Sequence, residues 1–161
     1  MQGADFMTYK VLTLRQPYAS LIALGHKRIE TRGWKTPYRG EILIHAGMSV
    51  KSMPVCREPF FRKVLKVDHM LPLGVILARA QLVDIQPVEE LEISDQERAF
   101  GDYTPGRYGW LLEDVRQLSH PIMAAGALSL WNYIDEEHRV QNDPWRPVEF
   151  SYVSIGQYAN P

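Results

Sequence analysis

Lys27, Glu30 and Arg32 fall within six consecutive positions of the run Gly25-His26-Lys27-Arg28-Ile29-Glu30-Thr31-Arg32-Gly33-Trp34. Together they hold the parts of an acid–base or ligand-binding site. A lysine desolvated beside an arginine loses proton affinity, because burial and a like charge both disfavour the ammonium form, and it then serves as a nucleophile or general base. Glu30 opposes that shift. The reactivity of Lys27 therefore turns on whether Glu30 pairs with it or with Arg32, a choice the sequence leaves open. The plain alternative is a surface strand with an ordinary ion pair, worth roughly 0 to 1 kcal/mol.

The elements that must position these side chains are legible on either side. Pro17 suits the first turn of a helix, Leu21, Ile22 and Leu24 give that helix a core face, and Gly25 ends it in the left-handed conformation that glycine adopts without penalty. Residues 28–32 then read as a strand. In that strand Ile29 points one way while Glu30 and Arg32 share the opposite face, with Lys27 at the entry able to overhang it.

A second cluster, Phe100-Gly101-Asp102-Tyr103-Thr104-Pro105-Gly106-Arg107-Tyr108, supports two readings. Pro105-Gly106 suits a type II turn with the aromatics in a core. Alternatively Tyr103, Arg107 and Tyr108 rim a cleft, where aromatic faces stack an unpaired base and the arginine meets phosphate. Gln16, between a strand and Pro17, either reads a ligand edge or caps the following helix. None of the histidines at 26, 45, 69, 120 and 138 has metal-ligand spacing, and Cys56 is the single cysteine, so neither a metal site nor a cofactor is expected. His45 reads as a satisfied residue at a strand end, and Trp110 and Trp131 as core.

Composition narrows the class. A chain of 161 residues with 45% hydrophobic content suits one domain and one main core. Its net charge of −1 excludes affinity from a broad basic surface, so any nucleic-acid contact must be local. With one cysteine, no run of 18 apolar residues and no secretory signal pattern, no disulfide framework or membrane association is expected, and cytoplasmic residence is the default.

Alternation and β-branched content predict strands over 9–14, 28–32, 41–45, 73–85, 108–118 and 127–133. Residues 34–40 read as a loop, 48–67 as an excursion carrying a helix, and 87–91 and 94–99 as short helical turns, the second capped by Ser94 with Glu97 three residues on. Five or six short strands with one or two helices favour a partly open β-barrel. Residues 1–7 read as an N-terminal extension, native or appended. Residues 135–161 read as a tail that packs back on the barrel, because Trp145, Phe150, Tyr152, Val153 and Ile155 are too apolar for a solvated linker.

The ordered blocks Leu12-Thr13-Leu14-Arg15-Gln16-Pro17-Tyr18-Ala19, the GxKxxExR motif at Gly25, Lys27, Glu30 and Arg32, and Tyr38-Arg39-Gly40-Glu41-Ile42-Leu43-Ile44-His45-Ala46-Gly47 resemble the ASCH (activating-signal-cointegrator homology) family of the PUA-like superfamily. The resemblance continues through Gly74 to Ala80, Phe100 to Trp110 and Gly126 to Trp131, and covers residues 8–134. It implies an α+β fold, a small partly open mixed β-barrel with a few short flanking helices. It also implies a cleft lined by Lys27, Glu30 and Arg32, with help from Gln16, Tyr103, Arg107 and Tyr108.

By resemblance, the leading expectation is an RNA- or nucleoside-binding module whose partner is single-stranded RNA or a modified nucleoside. A second is a hydrolase using the same cleft, either a ribonuclease or an amidohydrolase. One small ASCH-type enzyme deacetylates N4-acetylcytidine with a lysine, a threonine and a glutamate. Lys27 matches that lysine as base or nucleophile, Glu30 stands where the threonine would be, and Glu97 or Asp102 stands for the remote glutamate. A carboxylate in the threonine's place would repel developing negative charge. A third expectation is a protein-interaction module in transcriptional coactivation.

Overall fold

Strand β1 (Thr8–Leu14) buries Tyr9 and Val11 in one apolar cluster and Leu12 and Leu14 in the main one. The computed structural model describes residues 5–65 and 71–148. Within them, α1 (Tyr18–Ala23), β2 (Ile29–Arg32), β3 (Gly40–Ala46), α2 (Pro59–Val64), β4 (Val75–Pro87), α3 (Asp95–Ala99), β5 (Tyr108–Met123), β6 (Leu130–Ile134), α4 (Arg139–Asn142) and β7 (Arg146–Pro147) follow in order, with short 3-10 turns at Met53–Arg57 and Val88–Glu90. The strands form one mixed sheet in the order β2-β5-β4-β3-β1-β6, with β7 added on β5. The β1/β3 pair is parallel and the other pairs are antiparallel.

The sheet curls into a half-barrel, the α+β architecture expected from sequence. Its curl has a local origin. The long β4/β5 ladder shifts register between Ile76 and Ala78, between Arg79 and Gln81, and between Leu82 and Asp84, and each such bulge bends a strand and increases its twist. One bulge explains why β5 outruns the expected end at residue 118. Gln117 pairs with Ala78 and Ile122 with Ile76, so Pro121 falls in the looped-out stretch, where its missing N–H breaks no ladder bond.

Helix α1 packs into the curl through Ala19, Ile22 and Ala23 against Leu12, Leu14, Ile42, Ile44 and Leu77. Its end is a Schellman motif, as the glycine foretold: His26 N–H donates to Leu21 O at 2.8 Å and Gly25 N–H to Ile22 O at 3.0 Å, with Gly25 at φ 84°. That turn delivers Lys27 under the sheet. Phe61, Leu65 and Leu71 join Leu21 and Phe100 in a separate cluster that seats the excursion after β3.

The last expected strand, 127–133, begins later than predicted, at Leu130. Residues before it form a loop that approaches β1 and β3 so closely that a Cβ on Gly126 would lie 2.9 Å from His45 Cε1 and 3.0 Å from Thr13 Oγ1. Beyond β6, the buried Asp135 carboxylate accepts the N–H groups of Arg139, Val140 and Gln141, fixing α4. Strand β7 then pairs with β5 at Arg116 and Gln117. Phe150, Tyr152, Val153 and Ile155 lie outside the described residues. Among the described residues no helix is long and apolar enough to cross a membrane.

Trp110 is fully buried on β5, edge-on to Trp34 at 4.8 Å with its indole N–H donated to Trp34 O. Trp110→Ala is expected to lower unfolding stability by about 3–5 kcal/mol, read as a reduced urea midpoint with an unchanged m-value.

Candidate functional site

Because β1 and β3 run parallel and side by side, their C-terminal ends emerge together, and the chain that follows each must turn away. A cleft of about 790 Å³ opens there. Its walls are the end of β1 (Thr13 to Arg15), the turn after β3 (Gly47 to Ser49), β2 (Glu30 to Arg32), residues 100–102 with Arg107, and the loop 126–129.

The choice left open for Glu30 is settled by both pairings occurring at once. Glu30 Oε2 accepts from Arg32 Nε at 3.2 Å and Nη2 at 3.0 Å, while Oε1 accepts the Thr31 N–H and lies 3.7 Å from Lys27 Nζ. Arg32 Nη2 also donates to Thr13 O at 2.8 Å, tying β2 to β1 across the open side of the half-barrel. Lys27 does not overhang the cleft. Its side chain is fully buried, and Nζ donates to Ile29 O at 2.5 Å and Phe100 O at 2.6 Å. Two carbonyls accept from the ammonium, and the Glu30 carboxylate 3.7 Å away balances its charge.

Arg107 lines the cleft, held by Asp102 O at 3.0 Å and Thr31 O at 3.1 Å. Asp102 faces the same space. Hydrogen bonds from the Thr104 hydroxyl and N–H hold its carboxyl below the ordinary carboxylate value. The type II turn at Pro105-Gly106 forms, with Arg107 N–H donating to Thr104 O and Gly106 at φ 94°.

The other expected residues sit elsewhere. The Gln16 side chain is buried, accepts the Ser20 N–H at 3.0 Å and donates to Ser20 Oγ and Pro72 O, so it caps α1. Tyr108 begins β5, packs on the main core and carries Lys35 Nζ 5.6 Å from its ring centroid. The Tyr103 hydroxyl is buried, and burial followed by the nearby Glu97 and Glu30 charges pushes it far above the ordinary phenol value. Neither tyrosine lines the cleft.

In their place stand residues that the charge pattern did not single out: Arg15, Tyr18, Met48 and Leu128. Arg15 is exposed and has no side-chain partner among the described residues. Its position just past the end of a strand was the available signal, since functional side chains gather on loops held by rigid elements.

His45 anchors the cleft's far wall. Its Nε2 lies 2.7 Å from Ala124 O, which can only accept, so Nε2 carries the proton. Its Nδ1 then accepts from the Thr13 hydroxyl at 3.1 Å, and that hydroxyl accepts the Trp131 indole N–H at 2.9 Å. Both ring nitrogens are occupied, and burial lowers the imidazole pKa. No cluster of three or more His, Cys, Asp or Glu among the described residues could hold a metal ion.

The family model of the ASCH domain matches residues 12–124, from β1 through the end of β5. The chain belongs to the ASCH domain family. Activating signal cointegrator 1 of Mus musculus is 51% identical over 79 residues, covering 45% of this chain and 14% of the relative. The Homo sapiens protein of the same name is 32% identical over 79 residues, with the same coverage. The match thus spans a small part of either cointegrator. Among solved structures, the ASCH protein from Zymomonas mobilis superposes with a TM-score of 0.52 at 19% identity, covering 84% of this chain and 95% of that one. A tyrosine-to-phenylalanine mutant of that bacterial protein gives 0.51 at 21% identity, covering 84% and 98%. At these identities the likeness is one of fold.

Two measurements test this arrangement of the ASCH domain. Lys27→Ala removes the buried cation beside Glu30 and is expected to cost about 3–5 kcal/mol, seen as a large drop in the urea midpoint. For His45, a folded pKa below the ordinary 6.5 means that the unfolded chain binds the proton first. Stability is then complete above about pH 6.5 and falls as pH drops through that value towards the depressed folded pKa. His26, also lowered by burial, acts in the same sense. Urea midpoints are expected to fall between about pH 7 and pH 5, and to fall less in His45→Gln.

Proposed function

We propose that this ASCH domain is an RNA- or nucleoside-binding module, and that single-stranded RNA occupies the cleft at the ends of β1 and β3. The observation that carries this reading is the charge balance of the walls. Arg15, Arg32 and Arg107 face the space against Glu30 and Asp102, and the Glu30 charge is shared with buried Lys27. The cleft is therefore cationic in a chain whose net charge is −1. A guanidinium fork matches phosphate geometry, and Arg15 offers its fork unpaired by any described residue.

Apolar surface adjoins these cations. Leu128 is 92% exposed and Met48 71% exposed on the cleft's rim, and Tyr18 lies within. An unstacked base buries such surface while its phosphate meets the arginines. A few cations over one small cleft suit a short single strand, since a long duplex needs many neutralised phosphates.

In this reading Lys27 and Glu30 hold the wall, and Arg15, Arg32 and Arg107 meet the ligand. The hydrolytic alternative, with Lys27 as base or nucleophile, would require Nζ to leave two carbonyl oxygens at hydrogen-bond distance. A protein partner is the second reading, and the 51% identity to a mouse protein named as a cointegrator favours it.

The test is binding of a short labelled single-stranded RNA across a salt series. Arg15→Ala is expected to weaken binding and to reduce the slope of log K against log[salt] by about 0.7 to 1. An unchanged slope, or no RNA binding by the wild type, would remove RNA from the cleft.

A further inference from the structure

A second pocket of about 300 Å³ lies on the other side of β2, between that strand, α3 and the middle of β5. Residues of β2 thus serve both spaces, Glu30 to Arg32 the cleft and Ile29, with Arg28 just before it, this pocket. The size is at the lower end of the range for small-molecule sites. Its body is apolar, built by Ile29, Val83, Ile93, Leu111 and Leu112.

Two independent features coincide here. Four buried side-chain polar atoms among the described residues have no hydrogen-bond partner, and three of them, His26 Nδ1, Gln96 Oε1 and Glu97 Oε2, belong to residues that line this pocket. Gln96 and Glu97 are 4% and 9% exposed. Their other polar atoms are engaged, with Gln96 Nε2 donating to His26 O at 3.0 Å and Glu97 Oε1 accepting the Arg28 N–H at 2.5 Å. Gln96 Oε1 and Glu97 Oε2 are thus left without a hydrogen-bond donor, which disfavours their burial. The walls are also acidic, with Glu92, Glu97 and Glu113 against Arg28. Burial raises the Glu97 pKa against the opposing Lys27 charge and the N–H groups of Arg28 and Ile29.

We infer that this pocket is a ligand site for a small organic cation with an apolar body, a protonated arylalkyl amine. Its ammonium would lie among the carboxylates of Glu92, Glu97 and Glu113 while its hydrocarbon lies against Ile29, Leu111 and Val83. The site is distinct from the cationic cleft and opposite to it in charge.

Benzylammonium is the probe and benzyl alcohol, of the same shape without the charge, its control. Titrated into the full chain and followed by heteronuclear NMR, benzylammonium is expected to shift the resonances of Ile29, Gln96 and Leu111 saturably, with the alcohol weaker by about tenfold or more. Glu97→Gln keeps the shape and the acceptor for Arg28 N–H and is expected to weaken the amine by a similar factor. Val83→Trp, at a 43% exposed position on the pocket wall, should block it without touching the buried oxygens. It keeps the test decisive if Glu97→Gln fails to fold. Absence of saturable shifts, equal affinity for the alcohol, or undiminished binding in Val83→Trp would each overturn the assignment.

Discussion

Curling a sheet without closing it leaves β2 four ladders from β1 in the strand order, and the Arg32 guanidinium spans that gap. One nitrogen donates both to the Glu30 carboxylate on its own strand and to the Thr13 carbonyl on β1. Glu30 is in turn braced from beneath by Lys27, whose ammonium also takes up Phe100 O at the end of α3. Three pieces of chain with no shared ladder, β1, β2 and the segment after α3, meet at this one charged group. Removing a member would leave another buried charge uncompensated, which is why such a cluster resists piecemeal change.

The cleft inherits its character from that brace. Glu30 is almost spent on Lys27 and Arg32, so the carboxylate that should neutralise the wall does so only in part. Arg107 meets Asp102 in a looser arrangement, 3.6 Å from Nε to Oδ2, and Arg15 has no described counter-ion. A nearly neutral chain thereby concentrates positive potential in one concavity, where low-dielectric walls strengthen it. The same strand turns an acidic, apolar face to the opposite side, so β2 divides two pockets of unlike chemistry.

The opposite wall is set by close approach and not by charge. Gly126 sits where any side chain would strike His45 and Thr13, and the sequence of donors from Trp131 through Thr13 to His45 and on to Ala124 O holds the loop against the strand ends. Each polar group in that chain is satisfied only in one tautomer and one hydroxyl orientation. This gives the loop a defined position despite its lack of ladder bonds.

The sequence by itself determined the sheet and the family. Alternation in residues 9–14 and 41–45, the Gly25 stop and the Ser94 cap are local signals, decided by backbone sterics and the period of burial, and they match β1, β3, the Schellman turn and α3. The shared face of Glu30 and Arg32 was legible for the same reason. Tertiary structure alone decided what those side chains are for. A lysine written two positions from the strand is spelled the same whether it faces solvent or, as here, the underside of α3. The Glu97 side chain, three residues past the Ser94 cap, accepts the Arg28 N–H 69 positions away. Tyr103, Tyr108 and Gln16 were drawn inward, while Arg15 and the loop 126–129 were placed at the cleft. These outcomes depend on long-range approach across the curl, which bulges in the β4/β5 ladder set and which no local pattern of residues encodes.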